Sequence, residues 1–174
     1  MSEAEIFEVY RELDAVLLRL RAAEAYASGQ ELALALTMRR VVHRALDHDD
    51  LRIVDQLDRC GFFVSHKTYP ALGVVELTGC RKSEATRTVR LASALFSSAT
   101  LDGQPIPPVL PATAAAFDSW SIDLDHAVVI RRLLASGPAR RLDPERWVAA
   151  ERQLARWAQE YHADQLSDMG RRLL

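Results

Sequence analysis

Arg81, Lys82, Ser83, Thr86, Arg87 and Arg90 fall in one short stretch, residues 77–95, LTGCRKSEATRTVRLASAL, and side chains of these types suit contact with nucleic acid. Guanidinium groups pair bidentately with phosphate oxygens or guanine edges, while small hydroxyl side chains let a helix approach a groove closely. Gly79 tolerates the positive φ at which a first helix ends, and Ser83 is placed to cap a second by accepting from an unpaired backbone N–H. This is the punctuation of a helix-turn-helix. On the second helix Ala85, Val89, Ala92 and Phe96 recur at i, i+4, i+7 and i+11 and make an inward stripe, with Ser83, Arg87, Arg90 and Ala94 on the opposite side. Spacing alone leaves two readings open: a recognition helix for duplex DNA, and an amphipathic helix whose basic face is simply solvated.

Other chemistry is thinly represented. His48, Asp49 and Asp50 are adjacent and of metal-binding type, but a divalent-ion site needs further ligands from neighbouring helices, so the aspartates are read as helix caps instead. His126 stands at the start of a helix and is read as structural, hydrogen-bonded to a loop carbonyl. Cys60 and Cys80 are too far apart for a pair motif and are read as ordinary thiols. Neither a glycine-rich phosphate loop nor a Gly-x-Ser-x-Gly elbow occurs. No catalytic residue, metal site or cofactor is expected. Trp120, Trp147 and Trp157 have the surface to stack on bases, though Trp147 and Trp157, at helical spacing, read as packing residues.

Charge is distributed unevenly. The chain of 174 residues has a formal net charge of −2, too little for a protein that coats nucleic acid indiscriminately. Residues 1–60 hold 8 basic and 12 acidic side chains, whereas residues 61–174 hold 14 basic and 12 acidic, so an anion-binding surface belongs to the later part. The positive charge is nearly all arginine, with Lys67 and Lys82 the only lysines; bidentate phosphate or base contact and a GC-rich coding bias explain this equally well. A hydrophobic content of 49% suits a globular chain with a sizeable core. No apolar run is long enough to span a bilayer, and the N-terminus is acidic where a secretory signal would be basic, which predicts a cytoplasmic protein.

These residues must be held by helices. Ile6, Tyr10, Leu13, Leu17 and Leu20 repeat at three and four and mark one stripe of a long first helix that a partner must cover. Gly29 ends the pattern, and a second helix over residues 30–46 makes an antiparallel hairpin with the first. Asp47 or Asp49 is expected to cap a third helix ending at Gly61, and FFVSHK, residues 62–67, reads as loop. Residues 70–78 are expected to form the first helix of the helix-turn-helix, with Pro70 in its first turn. The segment SSATLDGQPIPPVLPAT, residues 97–113, with four prolines and a glycine, reads as a loop packed on the domain through Ile106, Val109 and Leu110. Helices follow over residues 112–118, 123–135 and 143–161, with Asp123 and Asp143 as caps, and a last short one reaches Leu174. The fold class is all-α: an N-terminal long-helix hairpin and a helix-turn-helix, in regions 1–61 and 62–174 that form one continuous domain.

Residues 71–174 resemble the DUF 222 family, also called the 13E12 repeat family. The motifs that carry the likeness are LTGCRKSEATRTVRLASAL, DGQPIPPVLPATAAAF, SIDLDHAVVIRRLLA, LDPERWVAAERQLARWA and the closing GRRLL. Members commonly carry this domain ahead of an HNH endonuclease module, so the resemblance implies a DNA-binding domain from such a protein. The central part is also similar to the helix-turn-helix of ParB-type partition proteins. Two departures stand out: Asp118-Ser119-Trp120 replaces a small, glycine-ended segment, and Val128 stands where many relatives have arginine. The chain has no asparagine to orient a nuclease histidine, and its five histidines are scattered without ligand spacing, so the nuclease module itself is missing. Either the chain ends near a domain boundary of a longer protein, or it is a short member that keeps only the binding domain. The partners implied are double-stranded DNA and, since helix-turn-helix proteins commonly pair on half-sites, a second copy in a homodimer. Two rival functions remain: a helical homodimerisation or assembly module built on the N-terminal stripe, and a stand-alone transcriptional regulator.

Overall fold

In a computed structural model of the chain, residues 2–100 and 102–174 are described; Met1 and Leu101, in the acidic N-terminus and the proline-rich loop, lie outside them. Among these residues the fold is all-α, with nine α-helices and one two-stranded ladder. No helix among them is long and apolar enough to cross a membrane. The chain divides into two compact units, residues 1–42 and 43–174.

The first unit holds α1 (Glu3–Glu24) and the start of α2 (Gly29–Arg59). Ser2 caps α1 in a capping box with Glu5: the Ser2 hydroxyl accepts from the Glu5 N–H at 3.3 Å and the Glu5 carboxylate accepts from the Ser2 N–H at 2.5 Å. Ser28 and Glu31 repeat the device at the start of α2, with the Glu31 carboxylate accepting from the Ser28 N–H at 2.7 Å. Arg39 donates three hydrogen bonds to Glu24, at 2.7, 2.9 and 3.2 Å, and ties the two helices together. No residue of α1 is buried. The predicted stripe of Ile6, Tyr10, Leu13, Leu17 and Leu20 stays exposed throughout.

The predicted break at residues 47–49 does not occur, because α2 runs unbroken to Arg59. No glycine or proline interrupts residues 30–60, and Leu51 and Val54 supply apolar side chains where a cap would have started a new helix. Asp47 and Asp49 are therefore interior helical residues rather than caps. Gly61 follows at φ 73° as expected, and the segment expected to be loop contains instead a single helical turn, α3 (Phe62–Ser65). Within this turn the Phe63 ring is buried in a cluster with Val74 and Ala85.

In the second unit α4 (Pro70–Thr78) and α5 (Lys82–Leu95) are joined by residues 79–81 and pack on Phe63, Val74 and Ala85. Residues 97–110 are not all irregular, since Ser98 and Ala99 pair antiparallel with Ile106 and Pro105. Of the three apolar side chains expected to dock this segment, Leu110 alone is buried; Ile106 and Val109 are exposed. The Leu110 N–H bonds the Ala94 carbonyl at 3.1 Å, which fixes the segment to the end of α5. The main core lies among α5, α6 (Pro111–Asp118), α7 (Leu124–Leu134), α8 (Pro144–Trp157) and α9 (Ala163–Leu173), around Leu91, Phe117, Ile130, Leu154 and Leu166. Asp123 and Asp143 are the N-caps expected, the latter accepting from the Arg146 N–H at 2.8 Å.

Candidate nucleic-acid interface

Helix α5 is positioned at both ends by backbone geometry. Gly79 ends α4 at φ 69° and its N–H bonds the Val75 carbonyl at 2.8 Å, a left-handed closure that a side chain would strain. The N-cap of α5 is Arg81, not Ser83 as expected. The Arg81 carbonyl accepts from Glu84 and Ala85 at 2.9 and 3.0 Å, and this end of the helix is open to water, so no side-chain cap is required. Ser83 thus stands inside the first turn with its side chain exposed.

Arg81, Lys82, Ser83 and Arg90 are exposed, while Thr86 and Arg87 are half-buried. The buried face comprises Ala85, Leu91, Ala92, Ala94 and Leu95. Ala94 departs from the expected outward side: the segment bonded to its carbonyl covers it, leaving it 7% exposed. The Thr86 hydroxyl donates to the Lys82 carbonyl at 2.8 Å, so it must leave that bond before donating to a phosphate. Arg87 and Arg90 line different hollows. Arg87 borders a groove of about 480 Å³ between α2, α4 and α5, whose walls also carry Asp47, Asp50 and Glu84. Partial desolvation, then the neighbouring Asp49 carboxylate, holds the Asp50 carboxyl above the ordinary range. Arg90 borders a cleft of about 390 Å³ together with Arg131 of α7. Burial, and then the charge of Arg90, weakens the hold of Arg131 on its proton.

The histidines of interest are structural. The His126 ring accepts from the Asp123 N–H through Nδ1 at 3.1 Å and bonds the Tyr161 carbonyl through Nε2 at 2.9 Å; the pair of bonds suits the neutral ring protonated on Nε2. Arg44 is ion-paired with the Asp123 carboxylate and also donates to the Trp120 carbonyl at 3.3 Å. His48 neither binds metal-type partners in a cluster nor sits at a helix start. Its Nε2 lies 3.0 Å from Asp118 Oδ1 and its ring packs on Phe96 and Phe117. Among the described residues no three His, Cys, Asp or Glu side chains converge as metal ligands.

Sequence reasoning missed two features. Glu151 is buried on α8 and caps α6 from outside it, accepting from the Thr113 N–H at 2.7 Å and the Thr113 hydroxyl at 2.6 Å. Arg131 reads in the sequence only as half of a basic pair with Arg132, because its meeting with Arg90 depends on how α5 packs against α7.

The chain belongs to the family described as domain of unknown function (DUF222), which matches residues 33–174. An uncharacterized protein of Mycobacterium tuberculosis strain CDC 1551 / Oshkosh is 38% identical over 93 residues, 53% of this chain and 22% of that protein. A second uncharacterized protein of the same strain is 36% identical over 92 residues, 53% of this chain and 20% of its own length. The matched segment thus spans about a fifth of the length of these relatives. No solved structure matches the chain.

Proposed function

We propose that the unit built on α4 and α5 binds double-stranded DNA, and that the chain is the binding domain of an HNH-endonuclease-type protein acting in the cytoplasm. The observation that carries this reading is the exposed start of α5, where Arg81 ends a three-residue turn and Lys82 and Ser83 open the helix, while the opposite face of the helix is buried. A helix anchored in this way presents its first turns to a groove without disturbing its core. Arg81 and Lys82 anchor the turn on the phosphate backbone, Ser83 and Thr86 add short polar contacts, and Arg87 and Arg90 reach phosphate or base edges. Helix-turn-helix proteins engage two half-sites as dimers, so the bound form is a homodimer.

Titration of duplex DNA at low and moderate salt tests the reading. Replacing Arg87 and Arg90 by alanine should weaken binding and flatten its salt dependence, by roughly one unit of slope for each phosphate that the variant no longer neutralises. Unchanged affinity and slope in the double variant would remove these residues from the interface.

A second reading, a helical homodimerisation module, is favoured by one observation. The stripe Ile6, Tyr10, Leu13, Leu17 and Leu20 follows the alternating four-and-three spacing of a coiled-coil seam and none of it is buried. The charges of residues 3–14 are mostly acidic, whereas Arg19 and Arg21 lie near the other end of α1. Two copies of α1 running antiparallel bring those opposite charges together.

A further inference from the structure

Arg90 and Arg131 reach one cleft from two different helices, and that convergence calls for an anion. The cleft is floored by Leu110 and Leu134 and bounded by Ser93 and the half-buried Trp147 of α8. Among the described residues no acidic side chain lines it. Among the described residues neither guanidinium is joined to a carboxylate, in contrast to Arg39, Arg44 and Arg59 elsewhere in the chain. Two like charges facing one partly desolvated space repel each other, and a bound anion converts that repulsion into attraction. The lowered proton affinity of Arg131 reflects the same pressure. A guanidinium keeps its charge under such pressure, so both groups remain available as forked donors.

We propose that this cleft binds a nucleotide, with its phosphate held between Arg90 and Arg131 and its base set against Trp147. Two guanidinium forks match the oxygens of a phosphate, and an indole offers a stacking surface that tolerates any base. The volume of about 390 Å³ lies in the range of pockets that enclose small ligands. The nucleotide is either one unit of a DNA strand, its base turned out of the duplex stack, or a free mononucleotide. The first source rests on the DNA-binding reading, because Arg90 belongs to both; the second does not.

The test uses the full chain, titrated by calorimetry with inorganic phosphate, thymidine, thymidine monophosphate and a short DNA duplex. Thymidine monophosphate should bind saturably and at least tenfold more tightly than thymidine, and Arg90→Gln or Arg131→Gln should remove that preference. Trp147→Phe should abolish the fluorescence change on binding. If the duplex displaces the monophosphate, the ligand is a strand unit. A monophosphate that binds while the duplex does not compete keeps the pocket and counts against the DNA surface. Equal binding of thymidine and its monophosphate, or binding of neither, overturns the pocket whatever the duplex does. Where an arginine variant loses its helical circular dichroism, the nucleoside-against-nucleotide comparison on the unaltered protein decides alone.

Discussion

Glu151 on α8 and Thr113 in the first turn of α6 are joined by two hydrogen bonds, 2.7 Å from the Thr113 N–H and 2.6 Å from its hydroxyl, both to one carboxylate oxygen. The other oxygen accepts from the Ala112 N–H at 3.3 Å. Helix α6 has Leu110 at its N-cap, which offers no side-chain acceptor, so Glu151, 38 positions beyond Thr113, supplies the cap. A buried carboxylate is tolerated here because its partners are the donors a helix N-terminus leaves unpaired.

Glu151→Ala leaves those buried donors without acceptors and should cost about 3 kcal/mol in urea denaturation. Glu151→Gln keeps an acceptor and loses the charge, for about 1 kcal/mol. The exposed neighbour Arg152 provides the comparison. If Glu151→Ala destabilises no more than Arg152→Ala, the cap is not a structural necessity.

Gly73 lies where the Phe63 ring crosses α4. A Cβ at this position would meet ring atoms at 2.4 and 2.6 Å, closer than any relaxed contact. Gly73→Ala should therefore destabilise by about 1–3 kcal/mol despite the better helix propensity of alanine. Gly29, with open space around its Cβ direction, should accept alanine without loss. A melting temperature that rises in both variants would show that Phe63 can move aside.

Much of the helical arrangement was legible because its signals are local. Gly79 after α4, Pro70 in its first turn, and Asp123 and Asp143 at later N-caps each act within a few residues. Where reading failed, two local signals competed or none existed. Asp47 and Asp49 resemble caps, but the helix continues because Leu51 and Val54 extend its packed face. Ser83 resembles a cap, yet α5 begins at Lys82, a good helix former, on the carbonyl of Arg81. Ala94 sits on the expected outward side of α5 and is covered by a segment whose path periodicity does not encode. At the candidate site, residue types were readable from the chain. That Arg87 and Arg90 border separate hollows, and that Arg131 joins the second, depends on tertiary packing.

Trp120 closes α6 at φ 56°, with the Ser121 N–H bonding the Ala116 carbonyl at 3.0 Å and the Trp120 N–H bonding the Phe117 carbonyl at 2.9 Å. This closure is the one glycine serves best. Trp120→Gly and Trp120→Ala both lose the indole and differ in backbone freedom. The glycine variant should be the more stable by about 1 kcal/mol, the reverse of the order at an ordinary helical position. Equal stability would mean that the left-handed turn carries no strain.

Asp50 provides a pH test with a definite sign. Partial desolvation and Asp49 raise its folded-state pKa above the unfolded value, so the ionised carboxylate opposes folding. Its favourable contribution is fully present below the unfolded value of about 3.9 and is lost as pH rises through the folded value. Asp50→Asn should therefore raise the melting temperature at pH 7 and lose that advantage as pH falls toward 3. A difference that stays constant across this interval would assign the effect to packing rather than charge.

The uncovered seam of α1 yields a prediction about assembly. Leu13 and Leu17 lie near the middle of the helix and are 39% and 40% exposed, although leucines at seam positions stabilise a helix chiefly when a second helix covers them. Sedimentation equilibrium of the unaltered chain should give twice the mass of one chain at micromolar concentration. Leu13→Asp with Leu17→Asp places like charges in the seam and should return the mass to that of a monomer, with the circular dichroism of the later helices retained. Raising salt should weaken the dimer modestly, because the pairing of the acidic start of α1 with Arg19 and Arg21 of the other copy is exposed and screened. A chain that stays monomeric at all concentrations would remove self-association through α1, and the DNA titration would then be interpreted for a single copy.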